Sequence, residues 1–141
     1  MAIDGILPMK LSEAAQLSVA FGPGERTLLD LIDGWCGHVM KLTHDASEVA
    51  EDPWTVHDFI ASLYLRDAVE RGIVSGESGN VSISAVEAAD EVFRSITIED
   101  QDSLLARCDP DVPGSPWWWR RVPARGPIAV EIQQIVEREG E

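Results

Sequence analysis

Tyrosine, cysteine and histidine are scarce in this chain: one, two and three residues among 141. The two cysteines, Cys36 and Cys108, lie far apart, and no Cys-x-x-Cys or His-Glu-x-x-His occurs. The local signatures of zinc binding are therefore missing, and so is the cysteine density of a disulfide scaffold. Basic residues are also few, 11 against 25 acidic, for a net charge of −14. That balance argues against a nucleic-acid binder working through a broad basic face and against an anionic membrane surface. No uninterrupted apolar run approaches bilayer-spanning length, so no membrane association is expected. The start, Met1-Ala2-Ile3-Asp4-Gly5, has neither a basic nor a long apolar stretch. It predicts a cytoplasmic chain whose thiols are reduced.

Phosphate-cradle motifs are missing too. Gly22-Pro23-Gly24 leads into Glu25 rather than into lysine or further glycines. The run Glu99-Asp100-Gln101-Asp102 lacks the glycine and twelfth-position glutamate of a calcium loop. Gly76-Glu77-Ser78-Gly79-Asn80 approaches a nucleophile elbow but has Asn80 where the second glycine belongs. No catalytic residue, metal site or cofactor is assigned from these patterns.

What is present is ordinary globular material, 45% apolar and 26% charged. It predicts a single helical domain over residues 1–141. The expected fold class is all-α, a compact bundle of five to six helices with room for one short β-hairpin near 73–83. The first helix should open at Ser12 and end at Gly22. A second, starting near Glu25, carries Leu28, Leu29, Ile32, Trp35, Cys36, Val39, Met40 and Leu42 at helical spacing. Gly34 and Gly37 interrupt it, where a neighbouring helix could approach closely. Asp52-Pro53 reads as a helix start, with Val56, Phe59, Ile60, Leu63 and Ala68 facing inward and a stop at Gly72. Ser84-Ala85-Val86-Glu87 matches a capping box, followed by Val86, Ala89, Val92 or Phe93, and Ile96. Thr97 to Asp100 should cap a short helix holding Leu104, Leu105 and Cys108. A terminal helix over 128–139 presents Ile128, Ile132, Ile135 and Val136 on one face.

Three neighbourhoods are candidates for function. The most distinctive is Trp117-Trp118-Trp119-Arg120-Arg121, because three consecutive indoles cannot all enter one core. At least one should lie at a surface, groove or interface, and the arginines beside them can stack on indole or pair with acids. Such a segment serves either as a clamp between helices or as a binding hot spot. The second is acidic: Glu48, Glu51 and Asp52 before one helix, and Glu87, Asp90 and Glu91 along another. Glu87 and Glu91 are like charges one turn apart, an arrangement that costs an isolated helix roughly 0.2–0.5 kcal/mol. The third is His38, His44, Glu48 and His57, near Cys36; a helix would stack His44 and Glu48 where they could share a metal with His57.

These features predict a small acidic interaction protein that binds a basic protein partner, of the immunity or antitoxin-like inhibitor kind. Two alternatives remain open: a small metal-dependent hydrolase using His38, His44, Glu48 and His57, and a structural or adaptor subunit docking through Trp117–Arg121.

Overall fold

Thr27 fixes where the first long helix begins. Its Oγ1 accepts a hydrogen bond from the backbone N–H of Asp30 at 3.1 Å, an N-cap three residues ahead of an acidic first-turn side chain. A computed structural model describes residues 18–21, 24–47, 51–75 and 80–139. Five α-helices and two short antiparallel strand pairs lie within them, so the fold is mostly α. The helices are α1 (Leu28–Ser47), α2 (Val56–Ser75), α3 (Asn80–Ser95), α4 (Leu104–Cys108) and α5 (Pro127–Glu139). The strands are β1 (Ser18–Phe21), β2 (Gly24–Thr27), β3 (Thr97–Glu99) and β4 (Arg121–Pro123).

Several expected boundaries are corrected. The helix from Ser12 to Gly22 is not continued through Ser18–Phe21, which is β1, paired to β2 with Ser18 opposite Thr27 and Phe21 opposite Gly24. Its residues 12–17 lie outside the described ones. A turn signal such as Gly22-Pro23-Gly24 joins hairpin strands as readily as it ends a helix. Glu25 accordingly lies in β2, and α1 starts three residues later. The Asp52-Pro53 start is replaced by a reciprocal box at Thr55. Thr55 N–H donates to Asp58 Oδ2 at 2.9 Å, and Asp58 N–H donates to Thr55 Oγ1 at 3.4 Å. A third donor at that end, Val56 N–H, reaches Glu131 Oε1 of α5 at 2.7 Å. These bonds place the cap at Thr55, three residues after Asp52.

The hairpin near 73–83 is also corrected. Ile73 and Val74 continue α2, and Val81 to Ile83 belong to α3, with residues 76–79 outside the described ones. An isolated pair of such short strands is marginal, whereas prolonging two helices adds backbone hydrogen bonds directly. Gly72 is therefore a buried position inside α2 rather than its stop. Ser84 likewise lies within α3, exposed, and does not cap it.

The described residues fall into two compact units. In the first, residues up to Lys41 combine with Tyr64–Val92; Leu28, Ile32, Trp35, Cys36, Val39, Ala68, Ala85 and Ala89 are buried there. Gly34 serves this unit, because a Cβ there would meet Leu65 Cδ2 at 3.2 Å, while Gly37 has open space around it. Met40, expected on the inner stripe, is 52% exposed.

In the second unit, Leu42–Leu63 combine with residues from Phe93 onward. Its buried positions include Val56, Phe59, Ile60, Leu63, Phe93, Leu105, Val122, Ile128 and Ile132. β3 and β4 pair antiparallel, Thr97 opposite Pro123 and Glu99 opposite Arg121. The ladder is extended at both ends, by Asp100 N–H to Arg120 O at 2.8 Å and Ala124 N–H to Ile96 O at 3.0 Å. Of Thr97 to Asp100, expected to cap α4, the first three form β3 and Asp100 alone caps: its two carboxylate oxygens accept from Leu104 and Leu105 N–H at 2.7 and 3.0 Å. Between β4 and α5 the chain turns at Gly126, φ +101°, where a Cβ would lie 3.0 Å from the Ala46 backbone. Both the backbone angle and the close approach require glycine there.

Candidate functional site

The acidic group on α3 divides into two environments. Ala85, Val86, Ala89 and Phe93 form the buried stripe of this helix, and Asp90 lies at its margin. Asp90 is only 7% exposed, so it leaves the acidic surface on which its neighbours Glu87 and Glu91 remain. It receives three side-chain hydrogen bonds. Arg66 of α2 grips it through Nε to Oδ1 at 3.0 Å and Nη2 to Oδ2 at 2.9 Å, and Trp35 of α1 donates Nε1–H to Oδ1 at 3.0 Å. Arg66 also donates to Glu70 Oε1, one turn along its own helix, at 3.0 Å. This is a pairing device of the first unit, not a recognition surface. A sequence signal for it existed: Arg66 is the one cation amid the inward positions Leu63, Ala68 and Val69, and a buried guanidinium requires a carboxylate.

Beyond Asp90, the exposed face of α3 carries Ser84, Glu87, Ala88, Glu91 and Val92, residues one helical turn apart. Among the described residues no cation pairs with Glu87 or Glu91. Val92 is 42% exposed between them and the helix end. Glu51 and Asp52, ahead of α2, are exposed as well, while Glu48 lies outside the described residues.

The tryptophan segment resolves into a clamp with an open rim. Trp117–Arg120 form one 3₁₀ turn, with Trp119 N–H donating to Pro116 O at 3.0 Å. Trp118 and Trp119 are buried, at 2% and 3% exposure; Trp117 is half-buried. Trp117 stands edge-on to Trp118, ring centres 5.5 Å apart, and tilted against Phe93 at 6.1 Å. Arg94, from the last turn of α3, lies over the Trp117 ring, 3.9 Å from its centre. Arg121 donates Nε–H to Thr97 Oγ1 at 2.7 Å and Nη2–H to Thr97 O at 2.9 Å and Arg94 O at 3.4 Å. The Arg94 carbonyl lies in the last turn of α3, where the helix dipole favours a cation. Arg120 is exposed.

The histidine neighbourhood is dispersed in character. His44 and His57 are exposed, His38 is half-buried, and Glu48 is outside the described residues. Among the described residues no group of three or more His, Cys, Asp or Glu side chains is placed to hold a metal ion. Nor is any helix among them long and apolar enough to cross a membrane.

Neither cysteine is in a disulfide. Cys36 is 1% exposed, and its Sγ approaches the Ala85 carbonyl at 3.9 Å. Burial first, then the negative charges of Asp33 and Asp90, push its thiol up from 9.0 to about 11. Burial also raises the half-buried Cys108, with Glu131, Glu139 and Asp100 adding to the rise and Arg107 opposing it. The Cys36 thiol stays protonated where an unfolded thiol would ionise, so its contribution is complete below pH 9.0 and is lost as pH rises through about 11. The expected loss is about 2 kcal/mol between these limits, from ~1.4 kcal/mol per unit. Urea denaturation across that range, with Cys36→Ala as the reference, measures it; an unchanged difference between the two proteins would exclude it. At pH 8 iodoacetamide should alkylate the half-buried Cys108 at least about tenfold faster than Cys36, which is 1% exposed, since a reagent must reach the thiolate.

No protein-family model, curated protein or solved structure matches this chain.

Proposed function

We propose that this chain is a small acidic binding protein whose partner is a basic protein, an inhibitor of the immunity or antitoxin kind. The observation that supports this most is the α3 face. Glu87 and Glu91 stand one turn apart, exposed, with no cation drawn to either among the described residues. Like charges at that spacing weaken a helix, so the face is better matched to a partner's cations than to this chain's own stability. Ala88 and Val92 on the same face add an apolar contact that excludes water around the charges, the composition of a recognition patch. A net charge of −14 speeds encounter with a cationic protein and directs it away from anionic ones. The adaptor reading draws less support, because two of the three indoles it needs are buried within the second unit.

The test uses the partner recovered on the immobilised chain, then purified and measured by calorimetry. Affinity is expected to fall at least about tenfold between low and high salt, the signature of screened surface charges. The Glu87→Lys/Glu91→Lys variant should weaken binding by a similar factor at low salt while its thermal unfolding midpoint stays in place. A partner that is not basic, or an affinity indifferent both to salt and to the charge reversal, would overturn the proposal.

A further inference from the structure

The geometry points to a second site, independent of the acidic face: a hollow that binds the phosphate group of a small phosphate monoester. The hollow has a volume of about 150 Å³ and is lined by Arg94, Glu99, Trp117, Arg120 and Arg121, all in the second unit. A hollow of that size has room for a tetrahedral phosphate and its ester linkage.

Charge selects the ligand class. Three guanidinium groups and one carboxylate leave the lining at a formal +2, in a protein that is otherwise strongly acidic. Among the described residues none of the three arginines is in an ion pair. Glu99 lies directly across the β3–β4 ladder from Arg121, yet Arg121 turns to Thr97 and the Arg94 carbonyl instead. A phosphate monoester, close to a dianion at neutral pH, matches this charge, whereas a carboxylate leaves one positive charge uncompensated. Arginine forks also suit the several oxygens of a phosphate. The remaining negative charges of the chain are screened beyond about 8 Å at physiological salt, so the local cluster dominates at contact distance.

The lining is held before any ligand arrives. Arg94 is laid on the Trp117 ring, which is itself braced by Trp118 and Phe93. Three hydrogen bonds fix Arg121, and the Asp100 N–H to Arg120 O bond fixes the backbone of Arg120. Of the three arginines only Arg120 has, among the described residues, neither a ring nor a hydrogen-bond partner holding its side chain, which limits the entropic cost of binding. Arg120 also borders a second hollow of about 210 Å³, lined by the polar Asp100 and Ser103 as well as the apolar Leu105, Val112, Pro113 and Trp119. The organic part of the ester would lie there, across Arg120 from its phosphate.

The experiment titrates the full chain with phenyl phosphate at fixed ionic strength and neutral pH, following the Trp117 indole N–H by NMR, assigned with Trp117→Phe. A saturable shift is expected, with benzoate binding at least about tenfold more weakly. Arg120→Gln and Arg94→Gln should each reduce affinity at least about tenfold. Arg120→Gln should leave the unfolding midpoint unchanged, since its guanidinium makes no hydrogen bond among the described residues. Inorganic phosphate should bind the same site more weakly than phenyl phosphate, because it makes no contact with Leu105, Val112, Pro113 or Trp119 in the second hollow. No saturation, equal affinity for benzoate, or full affinity in Arg120→Gln would each overturn the assignment.

Discussion

Asp90→Ala is expected to lower the free energy of unfolding by about 3–5 kcal/mol, the cost of leaving one partner of a buried ion pair without the other. Arg66 is 5% exposed and Asp90 7%, so water cannot replace the missing carboxylate. The substitution removes both arms of the Arg66 fork at 3.0 and 2.9 Å and strands the Trp35 indole N–H, whose acceptor was 3.0 Å away. Glu70 keeps its 3.0 Å contact to Arg66 but is itself partly exposed, so it compensates little. Asp90→Asn, which retains shape and one acceptor, should cost less. Arg66→Met/Asp90→Leu should cost less than Asp90→Ala alone, because no buried charge is left behind. Urea denaturation measures all three; a loss under about 1 kcal/mol for Asp90→Ala would show that the network contributes little.

Phe93→Ala is expected to cost a similar amount, about 3–5 kcal/mol, for a different reason. Phe93 is fully buried, stacked on Phe59 with ring centres 6.0 Å apart and 16° between planes, and tilted against Trp117. Its loss opens a cavity between these rings and removes a brace from Trp117. The variant should therefore show a changed Trp117 environment in NMR as well as a lower urea midpoint. Phe93→Leu should recover most of the stability, because it refills most of the volume. Val92→Ala, one residue earlier but 42% exposed, should change stability by less than about 0.5 kcal/mol. Equal losses at 92 and 93 would contradict the orientation of α3.

Helical periodicity identified the interior well where it was long and regular. Leu28, Ile32, Trp35, Cys36, Val39 and Leu42 on α1, and Val56, Phe59, Ile60, Leu63 and Ala68 on α2, are all buried. The spacing could not choose between Val92 and Phe93, since neighbouring residues differ by only 100° around a helix. Helix ends were harder to read, because several local caps compete within a few residues. Thr27, Thr55 with Asp58, and Asp100 win by the hydrogen bonds they complete, whereas Asp52-Pro53 and Ser84 are equally good on paper. The candidate site was half legible. The tryptophan–arginine run announced itself, but Arg94 and Glu99, which complete the hollow around Trp117, come from segments that sequence order does not connect to it.

By itself the sequence determined a mostly helical chain with a strongly anionic exterior and one cationic, indole-rich segment, because hydrophobic spacing and charge count are properties of the chain alone. Tertiary structure decided which of those charges are available. Asp90 and Glu91 are adjacent and chemically similar, yet one closes on Arg66 and Trp35 while the other faces solvent. Arg120 and Arg121 differ in a similar way: the first is exposed, and the second is hydrogen-bonded to Thr97 and the Arg94 carbonyl. A charge becomes structural or functional according to what the fold brings within about 3 Å of it, and that distance is set by residues remote in the chain.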